Sequence, residues 1–184
     1  MSVFDVDEFI VQCQDANQEG EPRRAIREVL DRALSDSASL TDALPPTEAG
    51  IVPLHRSDEL TILRVVWAPK MVLNPHDHRM WACIGIYTGQ EDNAFFRRHE
   101  KTLVDSGGKQ LVTGDSVLLG DDTIHSVANP GANPTGAIHI YGGDFFTQPR
   151  SQWGTAPYEE RPYDHANTAR TFADANAAWH ASNQ

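Results

Sequence analysis

Three histidines have the residue type and the spacing of a metal site. His76 and His78 are separated by one residue, and residues at this spacing on a β-strand point to the same face. His125, from a distant strand, can complete a set of three nitrogen ligands on one side of an ion. Such a set leaves coordination positions open for a substrate or for dioxygen. The sequence therefore predicts a mononuclear metal centre on His76, His78 and His125.

Two sequence motifs surround these histidines. Their residues are His76-Asp77-His78, Cys83 and Gly89 in the first, and Gly114, His125 and Asn129 in the second. Together they resemble the two motifs of the cupin superfamily and span residues 54–141. Cys83 stands near the place of the usual glutamate, and the turn of the second motif lacks its usual proline. The resemblance implies a double-stranded β-helix, or jelly-roll barrel, with the histidines inside it.

Within that superfamily the chain resembles the cysteine dioxygenase branch of the thiol dioxygenases. The resemblance implies three neutral histidines on Fe(II), without an acidic fourth ligand. Cys83, five residues after His78, matches the cysteine that in animal members forms a thioether with a tyrosine, matched here by Tyr141. His139 and Tyr141 match the last two residues of the branch's Ser-x-His-x-Tyr arrangement, and Ala137 replaces the serine. The resemblance implies catalytic roles for Tyr141, His139 and Cys83.

Strand alternation sets a condition on the thioether. From His78, strict alternation places Cys83 on the opposite face, so a bulge or turn near residues 79–81 is required for Cys83 to reach Tyr141. Tyr141, His139 and Ala137 alternate along one strand and share a face. If this face is the interior of the barrel, His139 holds the phenol of Tyr141 as an outer partner of the metal site does.

The substrate residues are predicted from position. Arg56 matches an arginine that precedes the first motif in the resembled branch, where a guanidinium can bind a carboxylate in bidentate geometry. Arg64, within a predicted strand, is a second candidate. Trp81 lies close to the ligand pair and is predicted to wall the pocket. Leu54 replaces the tyrosine that precedes the family arginine, so the identity of the thiol stays open.

The resemblance implies the oxidation of a small thiol carboxylate, of the cysteine or mercaptopropionate type, to its sulfinate by dioxygen. Three imidazoles leave the iron more positive than a site with a carboxylate ligand, and a soft thiolate substrate can then donate charge. Two alternatives stay open, because one fold hosts many chemistries. They are another metal-dependent cupin enzyme, such as an isomerase or another oxygenase, and a non-catalytic small-ligand-binding cupin.

The remaining pattern predicts a mainly β protein with flanking helices. Short β-type runs between residues 51 and 146 indicate an antiparallel sandwich or barrel. They lie at 60–67, 81–87, 93–98, 101–105, 110–113, 116–119, 124–128 and 137–141. Helices are predicted within residues 1–40, the first capped by Asp7 and the second opened by Pro22. Residues 41–50 form a connector, and 147–184 an excursion followed by a helix over about 165–179, so we expect one domain over 1–184.

The composition of the chain excludes some classes of binding partner. The net charge of -11, from 26 acidic and 15 basic residues, argues against a nucleic-acid surface, which needs clustered basic residues. No run approaches the roughly 18 apolar residues of a membrane span. Two cysteines and an acidic N-terminus without secretory features predict a cytoplasmic protein. The expected partners are a small-molecule thiol and dioxygen, and association into a homo-oligomer stays open.

Overall fold

Two antiparallel sheets form the body of the protein in the computed structural model, which describes residues 4–182. The strands are β1 (Gly50–Arg56), β2 (Thr61–Trp67), β3 (Val72–Asp77), β4 (Ala82–Thr88), β5 (Gln90–His99), β6 (Thr102–Val112), β7 (Ser116–Leu119), β8 (Ile124–Ala128), β9 (Thr135–Tyr141), β10 (Ser151–Trp153) and β11 (Glu160–Pro162). One sheet has the order β1-β2-β9-β4-β7 and the other β11-β10-β3-β8-β5-β6. The chain thus crosses repeatedly between two sheets, as in a double-stranded β-helix. The predicted cupin-type, mainly β fold is confirmed.

Helices flank this body at both ends of the chain. They are α1 (Val6–Asn17), α2 (Pro22–Leu34), α3 (Ser37–Ala43) and α4 (His165–Ser182). Pro22 opens α2 as predicted, but Asp7 does not cap α1: the side chain of Asp5 accepts the Glu8 N–H at 3.0 Å instead. The predicted connector over 41–50 is also partly wrong, because α3 occupies its first residues. No helix within residues 4–182 is long and apolar enough to cross a membrane.

The first sheet separates two apolar layers. Alternate residues of β4 and β9, such as Ile84 and Ala137, face the interior between the sheets. The intervening residues, such as Cys83 and Ile140, face the N-terminal helices. At Gly85 the sheet approaches α2 so closely that an added Cβ would lie 2.7 Å from Leu34 Cδ1. This alternation decides which predicted site residues can reach the metal centre.

The C-terminal helix covers one part of the inner layer. Phe172 is buried and stacks on Trp67 with ring centroids 5.3 Å apart. The Asn176 side chain makes two hydrogen bonds of 2.8 Å with the main chain of Ala49. Ala173, the next residue, is exposed. The helix is therefore held against β1 and against the tryptophan that lies nearest the site.

Two strands expected over 101–105 and 110–113 are a single strand, β6. It runs through Gly107 and Gly108 without ending and pairs with β5 along its whole length. Gly108 lies so close to β5 that an added Cβ would stand 2.8 Å from the carbonyl oxygen of Asn93. The glycines thus allow close pairing here, where the sequence suggested an interruption.

Candidate metal centre

The three predicted histidines converge inside the barrel. His76 on β3 is paired directly with His125 on β8, and His78 follows the end of β3 just before Arg79, whose φ is 56°. All three side chains are buried, and their candidate ligand atoms lie within 4.8 Å of one another. A register shift in β3 between Leu73 and His76 precedes the cluster. Neighbouring strands therefore supply two candidate ligands, and the turn after β3 supplies the third.

The nitrogens fit a shared ion. His125 Nε2 and His78 Nε2 are 3.5 Å apart. Two nitrogens bound at about 2.1 Å to one ion stand about 3.0 to 3.4 Å apart at octahedral or tetrahedral angles. His76 Nδ1 lies 3.0 Å from the Asn74 carbonyl oxygen, and His125 Nδ1 lies 2.6 Å from Asn93 Oδ1. Each acceptor holds the proton on Nδ1 and leaves the Nε2 lone pair free for a metal.

Burial keeps the three imidazoles neutral. It lowers the pKa of His76 to about 4, with the nearby Arg150 cation adding to the effect. Burial lowers the pKa of His78 and of His125 well below the ordinary value, and repulsion from neighbouring histidines acts in the same direction. A neutral imidazole is the form that binds a metal, and it suits iron, zinc, copper and nickel. Among the described residues, no carboxylate joins the cluster.

Asp77, between two of the candidate ligands, is buried but does not join the histidine cluster. Its carboxylate is 2.6 Å from Arg79 Nε and 3.1 Å from an Arg98 nitrogen, and it accepts the Ser151 N–H at 2.7 Å. These contacts join the turn after β3 to β5 and β10. Asp77 therefore fixes the turn that carries His78, a role that the His-x-His spacing alone does not reveal.

The predicted pair His139 and Tyr141 lies at the centre. His139 Nδ1 is 3.1 Å from the Tyr141 hydroxyl, and the Tyr141 ring packs edge-on to His78 at 5.0 Å between centroids. Burial raises the pKa of Tyr141, against the opposing effect of Arg150, so the phenol is neutral. A neutral phenol can both donate and accept hydrogen bonds beside the metal position.

A buried polar network that was not predicted supports this pair. Glu91 Oε2 accepts a hydrogen bond from Trp67 Nε1 at 2.8 Å and lies 3.4 Å from His139 Nε2. Glu91 Oε1 accepts from Asn93 Nδ2 at 3.0 Å, and Asn93 also holds His125. Burial alone would raise the pKa of Glu91, but the neighbouring His139 and the hydrogen bonds from Asn93 and Trp67 outweigh it and lower the pKa. The carboxylate is therefore ionised, with Glu91 and Asn93 inward on β5.

Cys83 does not reach Tyr141. It is paired with Ile140, one position away, and packs in the layer against the N-terminal helices. Burial raises the pKa of its thiol to about 12. The bulge required near residues 79–81 does not bring it to the inner face, so the structure does not place Cys83 beside Tyr141, as the thioether and the catalytic role implied by the resemblance would require.

Trp81 is a second correction. It also lies in the outer apolar layer, against Gly142, where an added Cβ would stand 2.0 Å from Trp81 Nε1. It does not line the cavity at the histidines. Trp67, on β2, is the tryptophan that does, and its inward position follows from the alternation of that strand.

Arg56 is the third correction. Its side chain is 46% exposed, and its guanidinium is held by both oxygens of Asp144, at 3.0 and 2.8 Å. It also stacks over Phe146 at 5.0 Å and does not line the cavity. Arg64 pairs with Ile138, whose side chain faces the outer layer. Neither predicted arginine is placed to bind a substrate carboxylate at the histidines.

Arg150 is a buried cation that the sequence did not reveal. Its guanidinium carbon lies 3.9 Å from the ring centroids of both Phe145 and Tyr163, and its side chain is only 6% exposed. One nitrogen donates to the Phe145 carbonyl oxygen at 2.7 Å, whereas Nε and a second terminal nitrogen have no partner. Buried donors without a partner are costly and call for a ligand. In the sequence, the position of Arg150 between the aromatic residues Phe145, Phe146 and Tyr163 was the one feature that could have suggested a buried guanidinium.

Two spaces adjoin Phe145 and Tyr163, the aromatic neighbours of Arg150, although Arg150 itself lines neither of them. The cavity at the three histidines has a volume of only about 20 Å³, enough for a water-sized molecule. A groove of about 560 Å³ lies between α4 and the start of β1, with Phe146 and Phe172 in its walls. Ile51, Phe145 and Tyr163 line both spaces. These three residues are therefore the partition between the groove and the histidines.

No model of a known protein family matches the chain. Among solved structures it is similar to a protein from Bacillus halodurans, with 16% identity over 56% of this chain and 77% of that chain and a TM-score of 0.49. A second is an RmlC-like cupin family protein with a double-stranded β-helix fold from Methanocaldococcus jannaschii, with 10% identity over 53% and 82% of the chains and a TM-score of 0.45.

A third similar structure is peruvianin-I, described as a cysteine peptidase from Thevetia peruviana latex. It is 20% identical over 46% of this chain and 51% of that chain, with a TM-score of 0.40. The present chain thus spans about half the length of that protein. Similarity at this level carries no information on the reaction, which has to be inferred from the side chains of the site.

Proposed function

We propose that the protein is a mononuclear non-haem iron dioxygenase that oxidises a small thiol carboxylate to its sulfinate. The observation that carries the proposal is the set of three buried, neutral histidines without a carboxylate ligand, next to the hydrogen-bonded pair His139 and Tyr141. Iron(II) on His76, His78 and His125 would supply the redox chemistry by which dioxygen reacts with a thiolate. The protein residues bind and orient the substrate and control its protons.

Arg150 is the proposed carboxylate receptor in place of Arg56. Its two buried nitrogens without a partner match the two oxygens of a carboxylate, which a guanidinium binds in parallel hydrogen bonds. Because Phe145 and Tyr163 hold the guanidinium from both sides, little side-chain freedom is lost on binding. A carboxylate there would neutralise a buried charge that has no ion-pair partner among the described residues.

The lining of the cavity favours a thiol acid without an amino group. Among the described residues no acidic side chain lines the cavity at the histidines. The Glu91 carboxylate beside His139 already accepts hydrogen bonds from Trp67 and Asn93. The ammonium group of cysteine would therefore be buried without a counter-charge, beside Arg150, at a high cost. A mercaptopropionate-type substrate avoids this cost.

Access is proposed from the groove under α4. The cavity at the histidines is too small for a thiol acid. The two aromatic residues of the partition, Phe145 and Tyr163, must therefore move when a substrate binds. Both rings pack against Arg150, and Phe145 also contacts the Tyr141 ring at 4.5 Å between centroids. Because Arg150 lines neither the groove nor the cavity, a carboxylate would reach it only when these rings move, with the thiol directed towards the histidines.

The test is thiol-dependent oxygen uptake by the iron-loaded protein, with identification of the product by mass spectrometry. We expect uptake with 3-mercaptopropionate, a product heavier by two oxygen atoms, and weaker activity with cysteine. The His125→Ala variant, with its folding checked by thermal unfolding, is the matched control, because it removes one of the three proposed ligands. An iron-loaded protein that oxidises no thiol refutes the proposal, and uptake that persists in His125→Ala assigns the activity to another source.

A further inference from the structure

A third space, distinct from the groove and from the cavity at the histidines, opens beside Arg150. It is an open hollow of about 570 Å³ formed by the turn after β3, the start of β10 and strand β11. Arg79, Arg150 and Arg161 line it, and Arg150 lines neither of the other two spaces. Three guanidinium groups in one hollow, on a chain whose net charge is -11, form a local positive field that suits an anion.

The carboxylate in the wall of the hollow is already paired. Glu160 accepts hydrogen bonds from Arg98 at 2.9 Å and from the Ser151 hydroxyl at 2.6 Å. The hydrogen bond from Arg98, together with that from Ser151, holds the pKa of Glu160 below its ordinary value. An anion in the hollow would thus meet a carboxylate whose charge is balanced by Arg98.

The three arginines of the hollow differ in their partners. Arg79 Nε lies 2.6 Å from the Asp77 carboxylate, and Arg161 is paired with the exposed Glu159 at 2.8 Å. Exposed ion pairs are weak, so Arg161 can turn towards a ligand. Arg150, by contrast, has no carboxylate partner within residues 4–182, and two of its nitrogens make no hydrogen bond there. The unbalanced positive charge of the hollow therefore lies on Arg150.

The two unsatisfied donors of Arg150 share one edge of its guanidinium. One terminal nitrogen donates to the Phe145 carbonyl oxygen, whereas Nε and Nη2 are buried without a partner. The rings of Phe145 and Tyr163 lie 3.9 Å from the guanidinium carbon and cover its two faces. A ligand can therefore approach only in the plane of the group, where Nε and Nη2 offer parallel N–H bonds to two oxygens of an anion.

We propose that the hollow binds one small, free oxyanion of the sulfate or phosphate class on Arg150 and Arg161, and that this anion competes with the substrate carboxylate. A tetrahedral oxyanion suits the hollow because two of its oxygens can bind the edge of Arg150 while the others face Arg161 and solvent. The competition rests on the proposed function, since it requires that the carboxylate also binds this edge. Each ligand then lowers the affinity for the other by the same factor.

Titration with sulfate tests the site without any thiol. The iron-loaded protein is titrated calorimetrically with sodium sulfate, and sodium chloride at equal ionic strength is the reference. We expect one sulfate per chain, and about 10-fold weaker binding by Arg161→Gln, which loses a charged hydrogen bond at the exposed rim of the hollow. Arg24→Gln is the matched control, because Arg24 is an exposed arginine on α2 that is likewise paired with an exposed glutamate. It should bind sulfate as the wild type does.

The metal-free protein distinguishes the hollow from the metal centre. It should bind sulfate with the same affinity, because the three histidines do not line the hollow. Sulfate that binds only when iron is present is a ligand of the metal, and this result overturns the site. Absence of binding beyond that of chloride also overturns it, as does equal binding by Arg161→Gln. Thermal unfolding shows that each variant remains folded.

The competition is measured as the affinity for 3-mercaptopropionate in the absence of oxygen. With sulfate at about ten times its own dissociation constant, the apparent dissociation constant of the thiol should rise by about 10-fold in the wild type. The same concentration of sulfate should raise it only about 2-fold in Arg161→Gln, because this variant binds sulfate more weakly. A thiol affinity that sulfate does not change overturns the competition.

Inorganic phosphate and glycerol 3-phosphate, compared on the metal-free protein, identify the source of the oxyanion. Binding of inorganic phosphate that is as tight or tighter supports a free anion. Much tighter binding of glycerol 3-phosphate assigns the hollow to an organic phosphate monoester and overturns the free anion as its occupant.

The proposed function and the oxyanion site fail differently. If no thiol binds the iron-loaded protein, the proposed function and the competition are refuted, whereas binding of sulfate in the hollow is still measured by itself. If thiols are oxidised to sulfinates but sulfate does not bind, the oxyanion site alone is refuted.

Discussion

Replacement of Arg150 by methionine separates the two arginines that compete for the substrate carboxylate. Arg150 is buried between two aromatic rings with two nitrogens free, whereas Arg56 is about half exposed and already bound to Asp144. A hydrogen bond to a charged group contributes about 1.5 to 3 kcal/mol. Two such bonds to a carboxylate give at least about 3 kcal/mol, which is a factor of more than about 100 in affinity.

The assay measures KM and kcat for 3-mercaptopropionate, together with binding to the iron-loaded protein without oxygen. We expect Arg150→Met to raise the dissociation constant by about 100-fold or more. Arg56→Met, the matched control, removes an exposed pair with Asp144 and should change it little, because exposed ion pairs contribute about 0 to 1 kcal/mol. Iron content and thermal unfolding show that both variants remain folded.

The reverse result refutes the reasoning. If Arg56→Met weakens binding strongly and Arg150→Met does not, the carboxylate binds at the outer arginine, and the aromatic partition does not hold it. A thiol lacking the carboxylate provides a further check, since its affinity should be the same in the wild type and in Arg150→Met.

Three other expectations concern the metal site, the thiols and the packing. Asn93→Ala should weaken metal binding by about 10- to 100-fold in a competitive titration, because the acceptor that orients His125 is lost. Asn74→Ala, which keeps its backbone carbonyl, should not. Burial raises the pKa of Cys13 and Cys83 to about 12, so neither should react with a thiol reagent in the native protein at pH 8. The intact mass of the protein should show no thioether. One rapidly reacting thiol would contradict this expectation. Gly142→Ala should lower the free energy of unfolding by about 1 to 3 kcal/mol because it displaces Trp81, whereas Gly50→Ala, with open space around it, should not show this loss.

The elements of the fold could be predicted because local patterns specify them. Pro22 opens α2, and residues 116–119 and 124–128 are strands with the predicted bounds. Where prediction failed, the deciding contact was distant in sequence. The two predicted segments of β6 are one strand because β5 pairs along both, and α3 follows a cap by Asp36 that its polar surroundings concealed.

The residues of the candidate site show the same difference between local patterns, which could be predicted, and contacts between distant residues, which could not. Spacing and motifs identified the three histidines, and alternation along β9 placed His139 and Tyr141 on one face. Alternation also argued against Cys83, and the structure agrees with that physical rule instead of with the family pattern. Glu91 and Asn93 lie in a polar run that is typical of an exposed strand.

Arg150 required knowledge of tertiary structure. Nothing in Pro149-Arg150-Ser151 indicates burial, which arises from Phe145 and Tyr163 on either side. A search for an arginine flanked by aromatic residues after the last barrel strand could have suggested it. The family pattern, which places the arginine before the first motif, could not have suggested Arg150. It selects Arg56, whose guanidinium is bound by Asp144.

X-ray absorption spectroscopy of the iron-loaded protein, with and without 3-mercaptopropionate under anaerobic conditions, shows directly whether three histidines and a thiol bind the iron. We expect one iron per chain surrounded by nitrogen and oxygen atoms with the signature of three imidazoles, and one added sulfur neighbour when the thiol is present. In the His125→Ala variant, the signature of three imidazoles should be lost. A spectrum with fewer than three imidazoles, or one to which the thiol adds no sulfur, would contradict the assignment of His76, His78 and His125 to a thiol-oxidising centre.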